Sequence, residues 1–192
     1  GIRIVDNFDV NINKKNDKIY KILDISAKWF QDNLYESNLC KEYLNKRNLT
    51  DETIKYFKLG FSSNQKKTLY EFLKEQDFND KEILESNVVK LDKNNKFRDF
   101  FYNRLMFPIA NEYGKIVGFG GRVLDNSNPK YINSPESDFF KKRNILYNLY
   151  NAKQNIRSKK NMLICEGYMD VISLHDKNIK TAVAPLGTSL TE

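Results

Sequence analysis

The spacing of apolar and polar positions changes period once along this chain of 192 residues, close to Val88. Before that point apolar side chains recur three and four residues apart. Ile19, Ile22, Leu23, Ser26, Trp29 or Phe30, and Leu34 predict a helix beginning at Asp17. The residues before it, to about Asn16, are polar without a clear period and read as an arm or linker tail. Leu39, Tyr43 and Leu44 predict a second helix over 39–47, and Thr50, followed by Asp51 and Glu52, is a good N-cap for a third that Gly60 is expected to close. Leu69, Phe72 and Leu73 mark a fourth, and Asn79 with Glu82 three residues later reads as a capping-box variant opening a fifth. The first half is expected to be a compact helical region.

After Val88 the runs VVKL, FRDFFY, RLMFPIAN and IVGFGGRVL are short and rich in aromatic and branched residues, with polar turns at 92–95 and 112–115. They predict a small antiparallel sheet. A loop over 126–135 and a helix containing Leu146, Leu149 and Tyr150 follow. Met162 to Cys165 are wholly apolar, as for a strand covered on both faces; with the helix after it and a strand over 181–184 they predict a βαβ unit with parallel strands. The fold class expected is α+β: a helical amino-terminal region and small antiparallel sheet, then the first βαβ unit of an α/β domain. Such a sheet would need further strands beyond Glu192.

An apolar fraction of 40% is enough for a real core. No run approaches the roughly 20 apolar residues that span a bilayer, and the opening GIRIVDNFDV has no basic-then-apolar leader pattern, so a cytoplasmic location is the default expectation. Cys40 and Cys165 have no short-spaced His or Cys partner for a zinc site and read as reduced structural thiols. His175, the only histidine, is expected on the exposed side of its helix, and any histidine-based triad would depend on it alone.

Net charge becomes informative when divided along the chain. Residues 1–95 carry 17 Lys or Arg against 16 Asp or Glu, residues 96–160 carry 13 against 5, and residues 161–192 carry 2 against 4. A basic segment leading into an acidic corner suits a protein that holds a polyanion beside metal ions; the alternative is a lysine-rich solvated surface. In the acidic corner, MLICEGYMDV leaves Glu166 at a strand's carboxyl end, has Gly167 turn the backbone, and sets Asp170 near the start of the next helix. Both acids then face one crevice, although they equally suit the positive end of that helix.

Arg104 in NRLMFP and Arg122 in GFGGRV lie on the predicted sheet, where a fixed planar fork can bind two phosphate oxygens. Gly118, Gly120 and Gly121 permit close backbone approach, or else mark a bulge. Lys130 and Tyr131 occupy a donor-rich loop with a ring that can stack. Lys141, Lys142 and Arg143 stand at an expected helix start, where three cations oppose the helix dipole and suggest either a bound anion or a solvated cluster. Phe97, Phe100, Phe101 and Tyr102 read as core rather than as a base-stacking platform. Gly187 and Thr188 follow the last strand and fall on the same carboxyl edge as Glu166.

Six segments, NRLMFPI, GKIVGFGGRVL, PKYINSPES, LYNLYNA, ICEGYMDV and APLGTSLT, together resemble in order and spacing the RNA-polymerase region of bacterial DnaG-type DNA primases. The resemblance is specific over Asn103–Thr191 and looser back to Asp17, where YLNKRNL and IKYFKLGF look like that family's helical lead-in. It implies an arm at 1–16, an amino-terminal subdomain at 17–158 and a TOPRIM domain from 159, begun but incomplete. It implies synthesis of short RNA primers on single-stranded DNA from ribonucleoside triphosphates, giving an RNA–DNA product. Glu166 and Asp170 become catalytic acids that bind Mg2+ or Mn2+; Arg47, Arg104, Arg122, Lys130, Tyr131, Lys142, Tyr168, Gly187 and Thr188 become candidates to hold template or nucleotide. Arg47 stands in KRNL where the family usually has Arg-Gly-Leu, so Asn48 is a departure. The family's later Asp-x-Asp pair, its zinc-binding amino-terminal module and its carboxyl-terminal module for the replicative helicase lie outside this sequence. The chain is thus expected to be an inactive fragment with an incomplete metal site and no zinc site. Another TOPRIM enzyme, a nuclease or topoisomerase, and a non-catalytic single-stranded DNA-binding module are the alternatives.

Overall fold

The computed structural model describes residues 7–63 and 67–187, with side chains from residue 16 onward. Helix α1 spans Asn7–Glu36, so the segment expected to be an arm is helical from Asn7. Its buried stripe, Ile19, Ile22, Leu23, Ala27, Phe30 and Leu34, follows the predicted spacing; Ser26 sits inside it because its Oγ donates to the Ile22 carbonyl at 2.7 Å. Helix α2, Asn38–Lys46, ends in two bonds that turn the chain back, from Leu49 N–H to Leu44 O (3.3 Å) and from Asn48 N–H to Asn45 O (2.9 Å). Asn48 takes the left-handed conformation this ending requires, with φ +52°. Asparagine tolerates that region better than other residues with a Cβ, which is how KRNL keeps the turn that glycine would supply.

Helix α3, Asp51–Tyr56, is capped by Thr50, whose Oγ1 accepts from Thr53 N–H at 3.2 Å. It is closed by Lys58, at φ +50°, rather than by Gly60. Gly60 instead opens strand β1, Gly60–Ser62, inserting a strand into the half expected to be helical. A Cβ there would lie 2.4 Å from Phe30 Cβ, so α1 and β1 approach too closely for any side chain. Helices α4, Leu69–Glu75, and α5, Asp80–Glu85, both carry full capping boxes, at Thr68/Glu71 and Asn79/Glu82.

Strands β2, Val89–Leu91, and β3, Phe97–Asp99, form a separate two-stranded ribbon rather than part of a single sheet. Asp99 fastens it to α4 by accepting from Leu69 N–H (2.7 Å) and Tyr70 N–H (3.0 Å). Strands β4, Arg104–Ala110, β5, Ile116–Val123, and β6, Tyr131–Asn133, join β1 in an antiparallel sheet of order β1-β4-β5-β6. The short β6 lies in the segment read as a loop. Its three residues, Tyr-Ile-Asn, are too short a run to carry an alternating signal.

The sheet is covered on both faces, which explains why RLMFPI and IVGFGG read as continuous apolar runs. Leu105, Phe107 and Ile109 point into a core built with α2 and α3. Met106 and Phe119 point the other way, into a core built with α1, α4 and α5. Past β6 come strand β7, Leu146–Tyr147, helix α6, Leu149–Lys159, strand β8, Leu163–Ile164, helix α7, Tyr168–Asp176, and strand β9, Ala182–Pro185. Leu146 is therefore strand, not helix. β8 and β9 run parallel, as the βαβ reading expects, and β7 pairs with β9 on the other side. Within the described residues β8 pairs only with β9, and Met162, Leu163 and Ile164 are 44%, 42% and 44% exposed, so the cover expected on both faces of this strand is not supplied by this chain.

Both cysteines are free; Cys40 is buried, which pushes its thiol up to about 12. Among the described residues no helix is long and apolar enough to cross a membrane. His175 is not on an exposed face: its ring stacks on Tyr56 at 4.3 Å and meets Phe57 edge-on at 5.0 Å, and this burial lowers its pKa.

The next residue, Asp176, ties α7 to α3. Its Oδ1 accepts from Thr50 N–H (3.0 Å) and Thr50 Oγ1 (2.8 Å), and its side chain is 2% exposed. The Thr50 N–H is the main reason its carboxyl sits well below the usual carboxylate range. A depressed folded pKa means that this stabilisation is present above the unfolded value, 3.8, and lost as pH falls through the folded one. Asp176→Ala is expected to cost about 1.5–3 kcal/mol at pH 7, the range for hydrogen bonds to a charged acceptor. In urea denaturation the gap from the unsubstituted chain should close below pH 4; a gap independent of pH would contradict the assignment.

Candidate functional site

Between β6, the Lys142 turn and the start of α7 lies a cleft of about 1020 Å³. Nine of the eleven residues singled out from the sequence line it: Arg47, Arg122, Lys130, Tyr131, Lys142, Glu166, Tyr168, Asp170 and Gly187. Thr188 lies outside the described residues. Arg104 does not reach the cleft. It is 8% exposed, and its Nη1 donates to the Pro129 carbonyl at 2.9 Å and the Lys130 carbonyl at 3.4 Å, so it holds the strap that presents Lys130.

The parallel pairing of β8 with β9 builds the acidic end. Glu166 follows the carboxyl end of β8 and Gly187 follows that of β9, so they share one edge. Gly187 has φ +94°, where a side chain would be strained. Gly167 is different from expectation: it is the N-cap of α7 in extended backbone, φ −155°, which any residue adopts. Asp170 Oδ2 accepts from Gly167 N–H at 3.2 Å, so the acid both caps the helix and faces the cleft. The two readings of this carboxylate coexist.

No group of three or more His, Cys, Asp or Glu able to hold a metal is present among the described residues. Two oxygen donors still suit Mg2+ or Mn2+ arriving with a nucleotide, because such ions keep several waters and take the remaining ligands from phosphate.

The basic end is built from three elements. Arg122 on β5 is 8% exposed, and its Nη1 donates to the hydroxyls of Tyr43 on α2 and, at 3.2 Å, Tyr131 on β6. Arg47, at the end of α2, lies 5.4 Å over the Tyr43 ring. Lys142 belongs to a single 3-10 turn, Lys142–Asn144, and not to a helix start, so the helix-dipole argument for the triple cation does not apply. The turn is held instead by Lys142 N–H donating to Glu136 Oε1 at 3.0 Å. Five cations, Arg47, Arg122, Lys130, Lys142 and Arg143, thus face three carboxylates, Glu136, Glu166 and Asp170, across one cleft.

Tyr168 sets the two ends against each other. Its ring is 7% exposed and lies over Gly120 of β5, stacks on Phe107 at 4.9 Å and meets Tyr147 edge-on at 4.7 Å. Its hydroxyl donates to Asn133 Oδ1 at 2.5 Å, and Asn133 Nδ2 donates onward to the Leu186 carbonyl at 3.3 Å. Gly120 is therefore the seat of a tyrosine rather than part of a phosphate loop, whereas Gly118 does stand beside a register shift in the β4–β5 ladder. Burial in this packing pushes the Tyr168 phenol well up.

Sequence reasoning missed Tyr43 and Glu136 as parts of the site, and read Arg143 only within the 141–143 cation cluster and Asn133 only within the donor-rich loop. For Tyr43 a signal existed, since it stands four residues before Arg47 on α2 and so shares its face. Glu136 had no signal of its own.

Residues 29–153 match the family described as DNA primase catalytic core, N-terminal domain, and residues 160–192 match the Toprim domain. The DNA primase of Clostridium acetobutylicum is 40% identical over 196 residues, which cover 100% of this chain and 32% of the relative. That of Helicobacter pylori is 37% identical over 189 residues, 98% of this chain and 33% of the relative. The chain spans about a third of the length of the curated relatives it matches. Among solved structures, a DnaG primase catalytic domain bound to ssDNA superposes with TM-score 0.82 and 36% identity over 93% of this chain and 58% of that one. The Aquifex aeolicus primase, with its zinc-binding and RNA polymerase domains, gives TM-score 0.86 and 35% identity over 92% of this chain and 44% of that one.

Gly120→Ala places a Cβ 2.6 Å from Tyr168 Cε2 and must lift the ring off the sheet. We expect a loss of about 1–3 kcal/mol in denaturant unfolding, the range for overpacking a close-packed site, and recovery of part of it by Tyr168→Leu in the same chain. Additive losses in the double variant would show that the two positions do not share this contact.

Proposed function

The chain belongs to the DnaG-type DNA primase family, and from that premise we propose that its cleft serves synthesis of short RNA primers on a single-stranded DNA template by divalent-metal-dependent nucleotidyl transfer. The observation that carries this reading is the meeting of Glu166 and Asp170 with five cations around one cavity. A nucleotide has the matching chemistry: a polyanionic backbone or triphosphate for the cations, and a reacting phosphate that needs metal at the acidic end.

In the proposed reaction the 3′ hydroxyl of a primer or initiating nucleotide attacks the α-phosphate of a ribonucleoside triphosphate. The new phosphodiester bond forms as the bond to the departing pyrophosphate breaks. Glu166 and Asp170 would hold Mg2+ or Mn2+, which when bound stabilises charge on the attacking and leaving oxygens. Lys130 and Lys142, one on the strap held by Arg104 and the other on the turn held by Glu136, supply positive charge at two sides of the cavity, so that phosphates are placed by groups whose backbones are already fixed. Tyr131 is 39% exposed at the cleft and is the ring available to stack a base. The partners proposed with this activity are the template, ribonucleoside triphosphates, the RNA–DNA product, and a replicative helicase engaged elsewhere in the polypeptide.

Glu166→Gln in the primase polypeptide that carries this segment is expected to lower primer synthesis at least about a hundredfold, the order set by losing several kcal/mol of charge stabilisation, while leaving affinity for single-stranded DNA within about twofold. Primer synthesis by incorporation of labelled ribonucleotides measures the first and fluorescence anisotropy the second. A Glu166→Gln enzyme that primes normally would remove this carboxylate from the mechanism.

A further inference from the structure

The Arg122 guanidinium is bonded in an unusual way for a cation that is 8% exposed. Both of its hydrogen bonds to the described residues leave from Nη1, and both acceptors are neutral phenols, those of Tyr43 and Tyr131. The same two rings flank it, with the guanidinium carbon 4.7 Å from the Tyr43 centroid and 5.4 Å from that of Tyr131. Its Nε is buried with no hydrogen-bond partner among the described residues. No carboxylate there pairs with it. A charge so buried and so incompletely satisfied is costly by itself. The cost falls when an anion occupies the cleft that Arg122 lines.

Deepening the reading of the cleft as a nucleotidyl-transfer site, and resting on it, we propose that Tyr43 is a positioning residue: with Tyr131 it clamps the Arg122 guanidinium so that Nη2, unlike the buried Nε, forms a preorganised anchor for one phosphate. Tyr43 does this from α2, an element with no other part in the site except Arg47, which lies on the same ring. Neutral aromatic partners hold the guanidinium's plane and leave its charge undiminished. A carboxylate in their place would hold it equally well and compete with the phosphate. Arginine loses little further entropy when its fork is already fixed, so the clamp converts into affinity.

The phosphate can belong to a template phosphodiester or to a ribonucleoside triphosphate, and a double-mutant cycle separates the cases. In the primase polypeptide, Tyr43→Leu, Arg122→Ala and the double variant are compared for affinity toward a labelled single-stranded oligodeoxynucleotide and for the KM of ATP in primer extension. Urea midpoints report folding, and Tyr43→Phe, which keeps the ring, serves as the second variant. Tyr43→Leu should weaken one of the two readouts by about tenfold in the Arg122 background, the worth of one charge-assisted bond, and have no effect in the Arg122→Ala background. Tyr43→Phe should lie between. Loss in oligodeoxynucleotide affinity assigns the anchor to the template, and loss confined to the KM assigns it to the triphosphate. Equal losses in both backgrounds, or no loss where Arg122→Ala itself weakens the readout, would overturn the role of Tyr43 alone. An Arg122→Ala variant that changes neither readout would overturn the reading of the cleft, and the anchor with it.

Discussion

Tyr168 occupies the space over Gly120 that any side chain on that residue would fill, and through this contact the acidic corner is held at a fixed position against the basic sheet. The ring belongs to the first turn of α7, two residues after Glu166 and two before Asp170. It is packed by Phe107 on β4 and Tyr147 on β7, and its hydroxyl reaches Asn133 on β6. Four elements distant in sequence therefore fix where the carboxylates stand. A close-packed aromatic contact of this kind does not deform gradually, so it transmits geometry from the sheet to the acids. Asp176 fastens the far end of α7 to Thr50, and the helix is held at both ends.

Holding the cleft open has an electrostatic consequence. Arg47, Arg122, Lys130, Lys142 and Arg143 repel one another around the cavity, and only three carboxylates share it. Much of the surrounding hydrogen bonding serves to keep these groups apart and oriented: Arg104 is spent on carbonyls of the Pro129–Lys130 strap, Glu136 on the backbone of Lys142, and two phenols on Arg122. The arrangement favours an anionic ligand over an empty cleft, since a phosphate backbone satisfies several of these cations together. Salt should weaken that preference more than it weakens the fold, whose two cores are apolar.

The elements that were legible in the sequence share one property, a local signal strong enough to stand alone. The α1 stripe, the Thr50 and Asn79 caps and the parallel β8–α7–β9 unit are of this kind. What was not legible depends on partners far away in sequence. β1 exists because Gly60 meets Phe30 and pairs with β4, and β6 because the triplet Tyr131–Asn133 finds β5. In the site, residue type, motif spacing and the family resemblance together singled out nine of the nineteen residues that line the cleft, whereas the task of each side chain required the structure. Arg104 and Arg122 look alike on adjacent strands; one is turned onto backbone carbonyls and the other toward the cavity. Tyr43 read as an inward apolar position and proved to carry a polar contact.

The central claim is that one cleft joins a phosphate-holding cation track to a metal-holding acid pair. A crystal of the primase polypeptide grown with a single-stranded oligodeoxynucleotide and Mn2+, with an anomalous difference map, tests it most directly. The account predicts a manganese peak bound to the Glu166 carboxylate, with the oligonucleotide backbone against Arg122 and the Lys130 and Lys142 side chains. Manganese bound away from Glu166, or a nucleic-acid backbone seated on another face of the molecule, would contradict it.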